Sequence, residues 1–168
     1  MSKFIKENIA TILLVLTIII IATIVVVKNK NEKVENAYDL SKVKVIDIKK
    51  ATELYADVEP HFFIIARESC SACQSFLPAV NELIDKYKIE VYYIDLLKMD
   101  REGEDYEAFT KLLNFTYEYD GEVGTMDKFI GYTPMILISS NNETIYGSLG
   151  SMSVSALEPV LKEYSIIK

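Results

Sequence analysis

Cysteine and histidine are scarce in this 168-residue chain. It has two cysteines, Cys70 and Cys73, and one histidine, His61, nine residues upstream of the first cysteine. A zinc site needs about four ligands, so this inventory leaves a cysteine-based metal site without its second pair. A structural disulfide gains most from closing a long loop, and Cys70-Ser71-Ala72-Cys73 closes a very short one. Redox chemistry remains, because two thiols on one helical turn can close and reopen a disulfide with little backbone movement. The alternative is a thiol pair with no redox role.

Charge is missing from residues 9–27, which are almost entirely Ile, Leu, Val, Ala and Thr. At about 1.5 Å per residue, such a helix nearly matches a hydrocarbon core of roughly 30 Å. A cleavable signal peptide would have an apolar region of about 7–15 residues and end in small residues. This run ends in Val25-Val26-Val27-Lys28, a poor cleavage site, and it carries no cysteine for lipidation. The expectation is a retained single-span anchor over 9–27 behind a short tail, residues 1–8. Signal-peptide removal is the alternative. Lys3 and Lys6 flank one side and Lys28, Lys30 and Lys33 the other, so flanking charge is close to a tie on orientation. Residues 28–42 are polar and read as a spacer, leaving 43–168 for one packed domain.

Positive charge is in short supply after the spacer begins. From residue 34 onward there are 13 Lys plus Arg against 23 Asp plus Glu, a net of −10. That balance argues against nucleic-acid binding and would repel anionic lipid headgroups. It would suit a basic substrate, although acidic surfaces commonly serve only solubility. There are no internal repeats.

What is present lies around the cysteines. Phe62-Phe63-Ile64-Ile65-Ala66 reads as a buried strand. Phe76, Leu77, Val80, Leu83, Ile84 and Tyr87 then recur along one face of a helix. Cys70 therefore sits near a helix N-terminus, where unpaired N–H groups and the helix dipole favour a thiolate. Cys70 is expected to be the nucleophile. Cys73, one turn in, is expected to be more buried and to act as the resolving thiol.

With these residues in place, the chain resembles the thioredoxin superfamily over roughly residues 43–165. Pro78 stands five residues after the second cysteine, where thioredoxins carry a helix-kinking proline. Glu90-Val91-Tyr92-Tyr93-Ile94-Asp95 looks like the following parallel strand. Thr133-Pro134 before Met135-Ile136-Leu137-Ile138-Ser139 looks like the family's cis-proline and the strand it opens. Asn141-Asn142-Glu143-Thr144 reads as a hairpin turn, and Gly150, Ser153, Leu157 and Leu161 fall at the spacing of the final glycine and helix. The resemblance implies an α/β fold with a central mixed sheet flanked by helices. It implies thiol–disulfide oxidoreductase activity with no metal or organic cofactor. Cys70 and Cys73 would be catalytic. The Thr133 backbone, held by Pro134, would dock an extended substrate.

The chain departs from thioredoxin itself. Ile64 replaces the buried aspartate that helps deprotonate the second cysteine. Ser69, not tryptophan, precedes Cys70, and the dipeptide is Ser-Ala. A cytosolic general-purpose reductase fits less well. Glu68 would either assist proton transfer or be a solvated carboxylate. The chain looks most like the membrane-anchored, extracytoplasmic thioredoxin-like proteins of Gram-positive bacteria. These include bacteriocin accessory proteins and the reductases of cytochrome c maturation, and the Arg67-Glu68-Ser69-Cys70 texture leans to the first. Partners would be cysteine-containing exported proteins or peptides, and a redox partner protein. A membrane-anchored, non-catalytic binding module is the competing class.

One stretch exceeds a minimal thioredoxin. Thirty-eight residues separate Asp95 from Pro134. Within this insertion, about 96–131, residues 105–115 read as an amphipathic helix, followed by a segment rich in Tyr and acid. It is expected either to cap the sheet edge or to add a substrate-binding surface near the active site.

Overall fold

The computed structural model describes residues 38–168 and, nearer the N-terminus, residues 13, 14, 16–21 and 23. The latter are helical and exposed. The tail at 1–8, most of the expected anchor at 9–27 and the spacer up to residue 37 lie outside the described residues. Among the described residues, no helix is long and apolar enough to cross a membrane.

The folded unit begins at Tyr38, five residues earlier than the sequence suggests. Tyr38 and Leu40 pack against the core, and the Asn81 side-chain amide donates to the Asp39 carbonyl at 3.1 Å. The polar start of the spacer hides this apolar end.

Seven strands and four helices follow. They are β1 (Lys44–Ile46), α1 (Ile48–Tyr55), β2 (His61–Ala66), α2 (Ser71–Tyr87), β3 (Val91–Asp95), α3 (Glu104–Leu112), β4 (Thr116–Tyr119), β5 (Glu122–Thr125), β6 (Met135–Ser140), β7 (Glu143–Leu149) and α4 (Val154–Glu163), with a 3-10 turn at Met126–Phe129. The main sheet runs β1-β3-β2-β6-β7. β1 and β2 lie parallel to β3, whereas β6 is antiparallel to β2 and to β7. The sheet is therefore mixed, as expected.

Strand alternation divides the core into two layers. Phe62, Ile64, Val91, Tyr93, Ile136 and Ile138 face α2 and α4. Phe63, Ile65, Tyr92, Ile94 and Leu137 face α1 and the insertion. Both faces are covered, which is why β2 reads as an unbroken apolar run rather than an alternation. From α2, Phe76, Leu77, Val80 and Leu83 are buried. Each such side chain contributes about 1.5–3 kcal/mol of transfer free energy.

The insertion is ordered by its own local chemistry. α3 opens with Glu104, Asp105 and Glu107 in its first turn, where acid complements the helix dipole. β4 and β5 then form a hairpin through Asp120-Gly121, both at positive φ. That is the backbone a two-residue hairpin turn requires, and Asp-Gly supplies it. Phe109, Leu113, Met126 and Phe129 bury the insertion against the sheet beside α1. It also covers the edge strand. The Thr144 N–H donates to Asn114 Oδ1 at 3.1 Å, and Thr144 Oγ1 donates to the Leu112 carbonyl at 2.6 Å. A Cβ at Gly147 of β7 would stand within 3.0 Å of Met126 and Phe115, so the approach admits no side chain there.

Candidate active site

Cys70 leaves the end of β2 and becomes the N-cap of α2. Its backbone is extended (φ −94°, ψ 115°), and its Sγ accepts the Cys73 N–H at 3.1 Å. One of the orphan donors at the helix start is thus aimed at sulfur. The approach loop is fixed from both ends. The Cys70 N–H donates to the Arg67 carbonyl at 3.2 Å, and Gln74 Nε2 donates to the Glu68 carbonyl at 2.8 Å.

The two cysteines differ in environment as the sequence suggests. Cys70 is partly exposed, whereas Cys73 is 2% exposed and belongs to the α2–α4 core layer. They are joined as a disulfide, with Cα atoms 5.2 Å apart.

The structure brings Thr133 and Pro134 to the same place, although they lie over sixty residues away in the chain. Met135 pairs with Ile65 where β6 runs beside β2, which carries the loop before β6 to the N-terminus of α2. The Thr133–Pro134 bond is cis. The Thr133 carbonyl oxygen lies 3.3 Å from Cys70 Sγ. Its N–H makes no hydrogen bond among the described residues, and Tyr132 and Gly150 bond elsewhere, to Phe129 and Pro134. The Thr133 N–H is therefore left unpaired close to Cys70.

No carboxylate is buried among the described residues. Glu68 is exposed and its side chain makes no hydrogen bond or ion pair among them, which fits the solvated alternative. Ile64 is buried, and its partner on β3, Tyr93, shares its face. The Tyr93 hydroxyl hydrogen-bonds to that of Tyr38. Burial pushes both phenols up, so the pair stays neutral. His61 faces away from the cysteines, at the far end of β2, paired with Asp57 at 2.8 Å. No cluster of metal-binding side chains occurs among the described residues.

An open cleft of about 780 Å³ lies at the ends of β1 and β3, lined by Asp47, Lys49, Asp95, Lys98 and Glu104 among others, and neither cysteine borders it. Two features near the cysteines escaped the sequence reading. Arg67 Nε is buried with no hydrogen-bond partner among the described residues. Tyr119 of the insertion meets Tyr132 beside Thr133, with ring centroids 5.2 Å apart. The Asp-Gly turn was the available signal for the hairpin carrying Tyr119; nothing local marks Arg67.

Solved structures share this architecture. Mitochondrial thioredoxin 3 of Saccharomyces cerevisiae superposes with a TM-score of 0.50 at 13% identity, over 73% of this chain and 96% of its own. Thioredoxin f2 of Chlamydomonas reinhardtii gives 0.51 at 10% identity, over 75% and 99%. Fasciola hepatica thioredoxin gives 0.50 at 12% identity, over 73% and 99%. The fold is thioredoxin-like. No protein-family model matches the sequence, and a comparison with curated proteins gives no match. Within the thioredoxin-like fold, the insertion supplies α3, the β4–β5 hairpin and the 3-10 turn, between the third and sixth strands of the chain.

Proposed function

We propose that the protein is a thiol–disulfide oxidoreductase that works through Cys70 and Cys73, anchored to the membrane by residues 9–27 with its catalytic domain outside. One observation carries the chemistry. A partly exposed sulfur at a helix N-cap, receiving a backbone N–H at 3.1 Å, is disulfide-bonded to a buried sulfur one turn later. The N–H groups and helix dipole favour the thiolate of Cys70 over that of Cys73.

The cycle is two exchanges. The Cys70 thiolate attacks one sulfur of a substrate disulfide, and the other substrate sulfur leaves as a thiolate. Cys73 loses its proton, attacks Cys70 Sγ and expels the second substrate thiolate. The Cys70–Cys73 bond forms, and the substrate gains two electrons and two protons. In reverse, a substrate dithiol is oxidised and the protein is reduced. The free Thr133 N–H and its carbonyl support docking of extended substrate as a short added strand. Within this class we favour cysteine-containing exported proteins or peptides as substrates, in the manner of the bacteriocin accessory proteins that the sequence resembles.

The test is a trap in cells. A Cys73→Ala variant cannot resolve the mixed disulfide, so it should accumulate reductant-sensitive adducts on Cys70 with exported cysteine-containing proteins. Protease added to intact protoplasts should destroy them. Absence of adducts, with no exchange by the wild-type protein on a small disulfide, would overturn the enzyme reading and favour an anchored binding module. Adducts fully protected from protease would place the domain inside.

A further inference from the structure

We infer that the β4–β5 hairpin and Tyr132 form a docking surface for the basic flank of a cysteine-containing polypeptide, a substrate preference that rests on the exchange reading above. The surface is aromatic, and in sequence it adjoins Thr133, whose carbonyl lies by Cys70 Sγ. Tyr119 and Tyr132 are 40% and 51% exposed, unusual for rings in mutual contact. Both rest on Phe129, which is 2% exposed, at centroid distances of 6.4 and 6.2 Å. Tyr117 braces Phe129 from the same side of the hairpin at 6.2 Å. The two tyrosines are therefore held on a buried support and are not free to fold away.

Position ties this surface to the cysteines. Tyr132 precedes Thr133, whose carbonyl is 3.3 Å from Cys70 Sγ. Consecutive Cα atoms are about 3.8 Å apart. A substrate strand paired with the Thr133 backbone, its cysteine at Cys70, would carry side chains a few residues from that cysteine over the tyrosine pair, at about 3.3 Å per residue.

Charge selects the occupant. Asp120, at the turn, and Glu122 are exposed on the hairpin, and neither forms an ion pair among the described residues; Glu118, next to Tyr119 in the strand, points to the other face. In register, Glu122 pairs with Tyr119, so its carboxylate stands on the same face as the ring. The one basic side chain between residues 116 and 130 is Lys128, whose stem lies against Gly124. Lysine or arginine beside the substrate cysteine would meet tyrosine faces and unpaired carboxylates together. An acidic flank would meet repulsion. A second copy of this acidic chain is a poor occupant for the same reason.

Binding and exchange are measured separately on the full chain in detergent micelles. Two labelled peptides of equal length carry serine in place of the cysteine, flanked in one by Lys, Arg and Tyr and in the other by Asp, Glu and Tyr. Fluorescence anisotropy should show the basic peptide bound about tenfold more tightly at low salt, the order expected of surface cation–π contact plus unscreened charge. The Tyr119→Ala/Tyr132→Ala variant should lose most of that preference. So should Asp120→Asn/Glu122→Lys, in which asparagine keeps the positive-φ turn position. Affinities within about twofold of one another in the wild type would overturn the inference. So would a preference that persists in both variants, or self-association through the tyrosines that excludes the peptide. Exchange of wild-type protein with oxidised dithiothreitol tests the oxidoreductase reading independently, since that reagent has no flank to dock.

Discussion

At the scale of single residues, the backbone treats Cys70 and Cys73 differently. Cys70 Sγ receives an N–H in a partly exposed residue; Cys73 lies in the core layer. In the reduced protein, iodoacetamide should therefore modify Cys70 at least about tenfold faster than Cys73. Peptide mass mapping after a timed quench reads this directly. Equal rates, or faster labelling of Cys73, would reverse the assignment. These two residues were legible in the sequence because their spacing and the apolar run before them constrain each other locally. Thr133 and Pro134 were legible only through resemblance, since nothing near them in sequence points to Cys70. Arg67 was not legible, because the burial of its Nε is set by tertiary packing.

At the scale of elements, two small networks bind layers together, and each makes a prediction. Thr144 Oγ1 lies 3.2 Å from the buried Tyr55 hydroxyl and donates to the Leu112 carbonyl, joining α1, β7 and the insertion. A Thr144→Val substitution keeps the shape but leaves both partners unsatisfied, so it should cost about 2–3 kcal/mol in denaturant unfolding. A loss below about 0.5 kcal/mol would show that the Thr144 hydroxyl does not help hold the insertion to the sheet. On the opposite face, Glu158 of α4 takes hydrogen bonds from Lys162 at 2.6 Å, Tyr87 of α2 at 2.6 Å and Lys86 of α2 at 2.9 Å. Those bonds lower its carboxyl from the ordinary 4.5 to about 2. A depressed carboxylate stabilises the fold above its ordinary pKa, and that contribution is lost as pH falls through the folded value. The gap in Tm between wild type and Glu158→Gln should accordingly be full near neutrality and close between pH 4.5 and 2. A gap independent of pH would show that the carboxylate's charge does not couple α2 to α4.

The elements themselves were unevenly legible. β2 and α2 announced themselves through apolar patterns, whereas β3, β6 and α4 were legible through the family resemblance. The Asn141-Asn142 turn was legible through residues that tolerate positive φ, which both adopt. α3 was read as 105–115 and ends at Leu112, because Leu113 leaves the helical region and turns the chain toward β7. β1 is three residues long and α1 eight, too short for a periodic signal to stand out.

At the scale of the whole molecule, the thioredoxin-like architecture places a helix N-terminus, a buried thiol and an unpaired backbone N–H at one point. The aromatic hairpin of the insertion meets Tyr132, the residue before Thr133. Composition argues against nucleic acid and a cysteine-based metal site as organising partners. It could not show whether the insertion covers the sheet edge or extends the substrate surface. The structure has it covering the edge, while Tyr119 and Tyr132 remain exposed next to Thr133. The central claim is that Cys70 and Cys73 exchange electrons reversibly as a pair. It is tested most directly by equilibrating the full chain with graded ratios of reduced and oxidised dithiothreitol, quenching with acid, and counting free thiols by mass. The account predicts a single two-electron transition that is reached from either side and vanishes in Cys70→Ala and in Cys73→Ala. A pair that stays fully oxidised or fully reduced across every ratio, from both starting states, would contradict it.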